Sequence, residues 1–414
     1  MGDRPLPSSA LPLRPVGEPA LDLLEGIVVL DMTTSIAGPY TGLLLADLGA
    51  TVIKVEKPKG GDDCRAWGPP FLDGESLWYL SANRNKHSVT LDFSGEDGGA
   101  VLRELVARAD VAIVNLVPRA QRKLGVSYDA LSAARPDLIH VSITGFGLEG
   151  ERADEPCYDL IAEGYSGVMD LTGEFANGPQ KVGTPAADLL AGEDAALAAV
   201  AALFRRERTG KGAAIDIAMV ESMTRFMGPR LLPYLGSGEV PRRSGGRDSV
   251  IAIYQAFDTA DEPLTLALGN DAIWRRFWQV VGMPERADDP ACATNALRRA
   301  RREAIVAEIA VLLATRGRDE WLEAFREARV PAGPINRLDE VAADLELQRR
   351  GFLYRFERGG FDVPQVGLGM RFDGASSALH RAPPRLGQDN EAVLGEWLGL
   401  SPDRLSELAA AGII

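Results

Sequence analysis

Gly26-Ile-Val-Val-Leu-Asp31 and Thr51-Val-Ile-Lys-Val-Glu56 decide the fold. Both are short apolar runs rich in β-branched residues, the composition of buried strands. Between them, after Ala37-Gly-Pro39, residues 40–48 are apolar and compact enough for one helix. Gly49 stands where a helix C-terminus takes a left-handed residue. Two strands joined through one helix by short connections run parallel. The alternation continues downstream. Ser94-Gly-Glu-Asp97 matches a capping box and predicts a helix to about residue 109. Residues 111–115 read as a strand, and Ser127 as the cap of a short helix stopping near Pro136. Residues 138–144 form a further strand. Residues 187–209 form an alanine-rich helix stopped by Thr209-Gly-Lys-Gly212, and residues 214–219 a last strand. The class is α/β, a doubly wound, Rossmann-like large domain whose ligands bind beyond the carboxyl ends of the strands.

Composition shifts after about residue 225. Gly236-Ser-Gly-Glu-Val-Pro-Arg-Arg-Ser-Gly-Gly246 marks residues 226–249 as a linker. Residues 250–335 follow as a smaller α+β domain. It has two strand-like runs about Thr259-Ala-Asp-Glu-Pro263 and then helical patterns. After Val330-Pro-Ala-Gly-Pro334, residues 336–369 read as a return linker, and residues 370–414 rejoin the large domain with a terminal helix capped at Ser401. Residues 1–23 form a loose N-terminal tail without the continuous apolar segment of a signal peptide. No repeat of fixed period is present.

The 414 residues carry 59 acidic and 45 basic side chains, a net charge of −14. That balance excludes a broad nucleic-acid or anionic-membrane surface, because such partners recruit clustered Lys and Arg. Cys64, Cys157 and Cys292 are far apart, as are His87, His140 and His380, so neither a disulfide framework nor a metal site is indicated. No run approaches the ~18 to 20 apolar residues of a membrane helix, and a reducing cytoplasm is the expected location.

Three features carry chemistry. Gly145-Phe-Gly-Leu-Glu-Gly150 fits the dinucleotide fingerprint, but its continuation Glu-Arg-Ala-Asp-Glu-Pro156 is a poor helix, so a glycine-rich loop over a pocket is the better reading. Lys54, Lys57 and Lys59, with Arg84 and Lys86, offer either a landing place for phosphate or a solvated strand end and polar turn. Asp188, in Thr184-Pro-Ala-Ala-Asp-Leu-Leu-Ala-Gly192, begins the alanine-rich helix among small neighbours. A helix N-cap is by itself a sufficient reading, and the functional alternative is a carboxylate nucleophile, ionised at pH 7 with an ordinary pKa of about 4; composition does not decide between them.

Taken in order, Leu24-Glu-Gly-Ile-Val-Val-Leu-Asp31, Ala37-Gly-Pro39, Leu48-Gly-Ala-Thr-Val-Ile-Lys-Val-Glu56, Asn83-Arg-Asn-Lys86 with Leu91-Asp92, Thr209-Gly-Lys-Gly212, Tyr254-Gln-Ala-Phe257, Val330-Pro-Ala-Gly-Pro334 and Arg381-Ala-Pro-Pro384 carry a resemblance. The chain resembles the family III coenzyme A transferases, the superfamily of formyl-CoA and carnitine CoA transferases and α-methylacyl-CoA racemase. The resemblance spans residues 24–414. It implies that the large domain binds CoA and that the enzyme moves CoA from an acyl-CoA donor to a small carboxylic acid. Asp188 matches the family's catalytic aspartate, which forms a mixed anhydride and then an aspartyl-CoA thioester. Ile36, Ala37, Lys57, Leu91, Asn115, Leu116, Lys123 and the loop Thr144, Gly145, Phe146, Gly147 match the CoA-contacting positions. There Lys57 and Lys123 would face phosphate or adenine, and Leu91 and Leu116 the apolar parts. The resemblance also implies an interlocked homodimer, acyl-CoA as substrate with no permanently bound cofactor, and no metal, nucleic-acid or membrane partner.

Departures from the family pattern sharpen this. Where the racemases carry Gly-His-Asp, this chain has Cys157-Tyr-Asp159. Tyrosine, with pKa near 10, is a poor exchanger of protons at neutral pH, which favours transfer over racemisation. Leu116 stands where many relatives have Phe, and Val117-Pro-Arg119 replaces Arg-Pro-Gly. The rival readings are a racemase-type isomerase and a non-catalytic acyl-CoA-binding protein. Arg242, Arg243 and Arg247 either meet the second charge of a dicarboxylate or are exposed loop charges.

Overall fold

A computed structural model describes residues 14–15, 21–358, 361–376 and 381–414. Residues 1–13 and 16–20 of the expected tail, and His380, lie outside these. The chain divides into two compact units, one of residues 1–168, 181–236 and 342–414, the other of residues 169–180 and 237–341.

The first unit is built on a six-stranded sheet of β1 (Val28–Met32), β2 (Thr51–Glu56), β3 (Lys86–Thr90), β4 (Val111–Val114), β5 (Ile139–Thr144) and β6 (Ala213–Ala218). The order is β3-β2-β1-β4-β5-β6 and every pairing is parallel. Strands β1, β2, β4 and β5 are buried almost throughout, as expected of a parallel sheet, and the burial includes the polar Asp31, Lys54 and His140 within them. The order reverses between β1 and β4, which opens a crevice beyond their carboxyl ends. Helix α1 (Ala37–Asp47) follows β1, α2 (Glu96–Ala107) precedes β4, α3 (Asp159–Ser166) follows β5, and α4 (Ala186–Thr209) leads into β6. Helices α1 and α4 meet closely. A Cβ on Gly192 would lie 2.8 Å from the Ala37 carbonyl, so only glycine fits, and Thr41 Oγ1 donates across the contact to Gly192 O at 3.2 Å.

Several local expectations need correction. Gly95, not Ser94, occupies the N-cap of α2, and no side chain caps it; the Ser94 amide instead donates to Asp92. Ser127 holds the N-cap of helix Tyr128–Ser132 without a side-chain bond. The expected linkers are partly ordered. Helix Gly228–Ser237 falls in the first, and helices Leu338–Ala343 and Leu345–Arg349 with the antiparallel strands Leu353–Arg358 and Phe361–Val366 in the second. In the tail, Arg14–Pro15 pairs in parallel with Tyr354 and Arg355. Gly and Pro punctuate these segments, but Leu353, Tyr354 and Val363 of the strand pair are still buried. The C-terminal segment stitches onto β3: the amides of Ser88 and Thr90 donate to Asp389 and Asn390, each at 2.8 Å.

The second unit is α+β. Strands Tyr254–Phe257, Leu264–Ala267 and Ala332–Pro334 form an antiparallel sheet. Helices Asp271–Val280, Arg302–Leu313 and Arg318–Glu327 close over it on a core that includes Trp274, Phe277, Trp278, Trp321 and Phe325. Among the described residues no helix is long and apolar enough to cross a membrane.

Candidate active site

The turn from β1 into α1 is held by buried charge. Lys86 Nζ lies 2.8 Å from Asp31, and Lys54 Nζ lies 2.9 Å from Asp62 and 3.9 Å from Asp31, all four side chains being fully buried. Burial alone would push the Asp31 carboxyl up, but Lys54 and Lys86 outweigh it and hold it at about 2. Asp31 accepts the Thr33 amide at 3.1 Å and Asp62 the Ser35 amide at 3.0 Å, so the ions fix the loop and with it Ser35 at φ +69°. Arg84 is likewise spent, on Asp47 at 2.5 Å. Both sequence readings of this cluster are corrected: Lys54, Lys86 and Arg84 are structural ions, neither a phosphate seat nor a solvated strand end. Only Lys57 and Lys59 of that group are exposed, and Lys57 pairs with Asp63 at 2.6 Å.

The loop so fixed presents the uncapped N-terminus of α1, with Ile36 at the N-cap and Ala37 the first helical residue, both buried. Asn115, just after β4, accepts the Thr34 amide at 3.1 Å and donates to Thr34 O at 2.7 Å, which ties the two strand ends at the crevice. A cavity of about 200 Å³ lies here, lined by Thr33, Lys57, Leu91, Phe93, Leu116 and Leu124 among others. Lys57, Leu91 and Leu116 are thus brought together. Lys123 is exposed on helix Pro118–Leu124 and does not line this cavity.

Asp188 lies elsewhere in the same unit, at the third residue of α4. Its N-cap reading is overturned, because Pro185 holds that position and no side chain of α4 caps it. The cap comes from α3: Asp159 Oδ1 accepts the amides of Ala187 at 2.8 Å and Asp188 at 3.3 Å. Asp188 is half-buried, and desolvation, followed by the negative charge of Asp159, pushes its carboxyl up from 3.8 to about 7. The sequence expectation of an ordinary carboxylate is corrected accordingly.

The glycine loop packs on Cys157, whose thiol lies within reach of the Asp188 charge. A Cβ on Gly145 would lie 2.1 Å from Cys157 Cβ, so only glycine permits the approach. Burial and then the Asp188 charge push the Cys157 thiol up to about 11. The Gly147 amide donates to Thr144 Oγ1 at 2.9 Å, with Gly147 at φ +90°. Phe146 stands edge-on to Tyr165 at 5.0 Å. No helix starts within Gly145–Gly150; the next helix begins at Asp159, as the poor helical sequence predicted. Tyr158, in the place of the racemase histidine, is 65% exposed. Asp159 is the residue that sequence reasoning missed: its position before an apolar helix does not reveal that its oxygen caps a different helix.

A parallel α/β sheet, a crevice at its switch point and a half-buried carboxylate at a helix start define a nucleotide-type cofactor fold with a candidate acyl-accepting acid. Residues 24–390 match the family described as CoA-transferase family III, and the chain belongs to that family. It is 39% identical over 380 residues to the succinate--glutarate CoA-transferase of Agrobacterium fabrum, covering 90% of this chain and 95% of that one. It is 34% identical over 376 residues to the acetyl-CoA:oxalate CoA-transferase of Acetobacter aceti, covering 90% and 95%. The crystal structure of a CAIB/BAIF family protein from Brucella suis superposes with a TM-score of 0.80 at 38% identity, covering 90% of this chain and 98% of that one.

Proposed function

We propose that this enzyme moves CoA from an acyl-CoA to a small dicarboxylic acid, with Asp188 as the nucleophile. The single observation that carries the mechanism is the half-buried Asp188 carboxyl held at about 7. Such an anion is more basic than a solvated carboxylate and correspondingly more nucleophilic, while remaining substantially ionised at neutral pH. A carboxylate oxygen of Asp188 attacks the thioester carbonyl carbon, the C–S bond breaks, and CoA leaves as thiolate. The thiolate attacks the aspartyl carbonyl of the resulting anhydride and expels the donor acid, which leaves an aspartyl-CoA thioester. The acceptor carboxylate then displaces the thiolate to give a second anhydride, and the thiolate attacks its acceptor-derived carbonyl. The products are acceptor-CoA and free Asp188. No net proton or electron is exchanged, and the energy of the thioester is retained as long as water is excluded.

The dicarboxylate assignment draws support from the names of the relatives, whose acids are succinate, glutarate and oxalate. In this reading the α1 N-terminus, Lys57, Leu91, Asn115 and Leu116 hold CoA, Lys123 meets its phosphate end, and the Thr144–Gly147 backbone lies near the thioester. Exposed Tyr158 stands where the racemases carry a histidine, so the chain offers no imidazole at that position for α-proton exchange, which speaks against the isomerase reading. The working assembly is an interlocked homodimer in the cytoplasm. The test is CoA transfer from succinyl-CoA to glutarate by Asp188→Asn. The variant loses transfer by at least a thousandfold while keeping its circular dichroism; near-normal turnover refutes the mechanism.

A further inference from the structure

The second unit contains a feature that the transfer chemistry does not use. Within residues 169–180 and 237–341 lies a cavity of about 990 Å³ whose lining includes six arginines and three carboxylates. In a chain of net charge −14, that local excess of positive charge is unusual. Of the carboxylates, Asp289 is already engaged by Arg286 at 3.1 Å.

The arginines are partly desolvated before any ligand arrives. Arg243 has a side chain 17% exposed and lies 4.0 Å from Asp170, yet its Nη1 is buried with no hydrogen-bond partner. Arg302 donates through Nη1 to the Asp248 carbonyl at 2.6 Å, while its Nε and Nη2 are buried and unpartnered. Burial, together with the charges of Arg247 and Arg299, pulls the Arg302 pKa down. Leaving buried guanidinium N–H groups unmet is costly, so native proteins satisfy them with water or an anion. Guanidinium presents a fork that matches carboxylate and phosphate oxygens two at a time. Phe175 and Ser244 complete the wall with an apolar surface and a hydroxyl. The volume lies at the upper end of the range for pockets that hold small organic ligands.

We propose that this cavity is a binding site for a small multiply charged oxyanion, held by Arg243 and Arg302 with Arg247 and Arg299 at its edge. A single carboxylate would neutralise only part of the charge excess, so the ligand carries at least two negative charges. That chemistry has two sources among the substrates of a CoA transferase, a dicarboxylic acid and the phosphate end of CoA. The inference stands on the cavity alone and does not depend on the role of Asp188.

The test is calorimetric titration of the full chain with sodium glutarate, with adenosine 3′,5′-bisphosphate and with sodium butyrate as the singly charged control. One of the two multiply charged ligands binds, butyrate binds at least tenfold more weakly, and Arg243→Gln and Arg302→Gln each weaken the tighter ligand by tenfold or more. Glutarate as that ligand assigns the dicarboxylate source, and the bisphosphate assigns the phosphate source. Because Arg302 also anchors the Asp248 carbonyl, the exposed Arg247→Gln and Arg299→Gln provide variants less prone to misfolding. These weaken binding several-fold and flatten its dependence on salt. If neither multiply charged ligand binds, or if binding is unchanged in all four variants, the inference is overturned. Capture of an acyl group on Asp188 is a separate readout: its failure in the wild-type chain would sink the transfer reading and leave these titrations to decide the cavity.

Discussion

Replacing Asp159 by Asn separates two things that this side chain does to Asp188. Asp159 Oδ1 accepts the amides of Ala187 and Asp188, and its charge is the second cause, after burial, of the elevated Asp188 pKa. An asparagine oxygen still accepts both amides, so the start of α4 keeps its cap, but the charge is gone. Burial is the larger cause, so more than half of the rise from 3.8 to about 7 survives. The midpoint therefore falls by less than about 1.6 pH units. The assay is the single-turnover rate of acyl capture between pH 5 and 9. The nucleophile is the anion, so the wild-type rate climbs with pH to a plateau above about 7. At pH 6 only about one-tenth of Asp188 is ionised in the wild type; a fall of one unit raises that to about one-half, and the variant reacts faster there. Its plateau is lower, because a less basic carboxylate is a weaker nucleophile. Asp159→Ala loses the cap as well, costs about 1 kcal/mol of stability and is slower than Asp159→Asn at every pH. An unchanged midpoint in Asp159→Asn, or a wild-type rate that falls as pH rises, refutes this account.

The same titration has a stability signature. Folded Asp188 keeps its proton up to about 7 while the unfolded chain loses it near 3.8, so wild-type stability falls as pH rises between those values and is level above. Asp188→Asn removes that loss and is more stable than wild type at pH 8, on the order of 2–4 kcal/mol, with the gap closing toward pH 4 in urea titrations. Gly192→Ala puts a methyl group 2.8 Å from the Ala37 carbonyl and 3.0 Å from the Tyr40 ring. It costs about 1–3 kcal/mol and weakens CoA binding by displacing the start of α1, as denaturant and binding titrations will show; a variant of wild-type stability contradicts the packing argument. Asp31→Ala strands buried Lys86 and weakens the hold on Lys54. It destabilises the chain by about 3–5 kcal/mol, whereas the exposed Lys57→Ala changes stability by less than about 1 kcal/mol.

The parallel sheet was legible because most of its strands are short runs rich in β-branched and apolar residues between helical stretches, and five of the six lie within a residue or two of the predicted positions. Strand β3 was the exception: Lys86 and His87 make it polar in sequence, and only the structure shows Lys86 buried against Asp31. Charge in one dimension carries no sign of whether it is solvated, which is why Lys54, Arg84 and Lys86 were misread as a group. The elements at Gly228–Ser237 and Leu353–Arg358 were hidden by Gly and Pro punctuation and by dependence on distant partners. Asp188 was visible as a lone carboxylate among small residues, but its elevated pKa arises from three-dimensional burial and from an acid 29 residues away.

The most direct measurement is peptide mass spectrometry of the wild-type chain after incubation with succinyl-CoA and trapping with hydroxylamine. A hydroxamate confined to position 188, absent without the thioester, is the predicted result. Transfer that continues with position 188 unmodified, or a hydroxamate on a different side chain, contradicts the account.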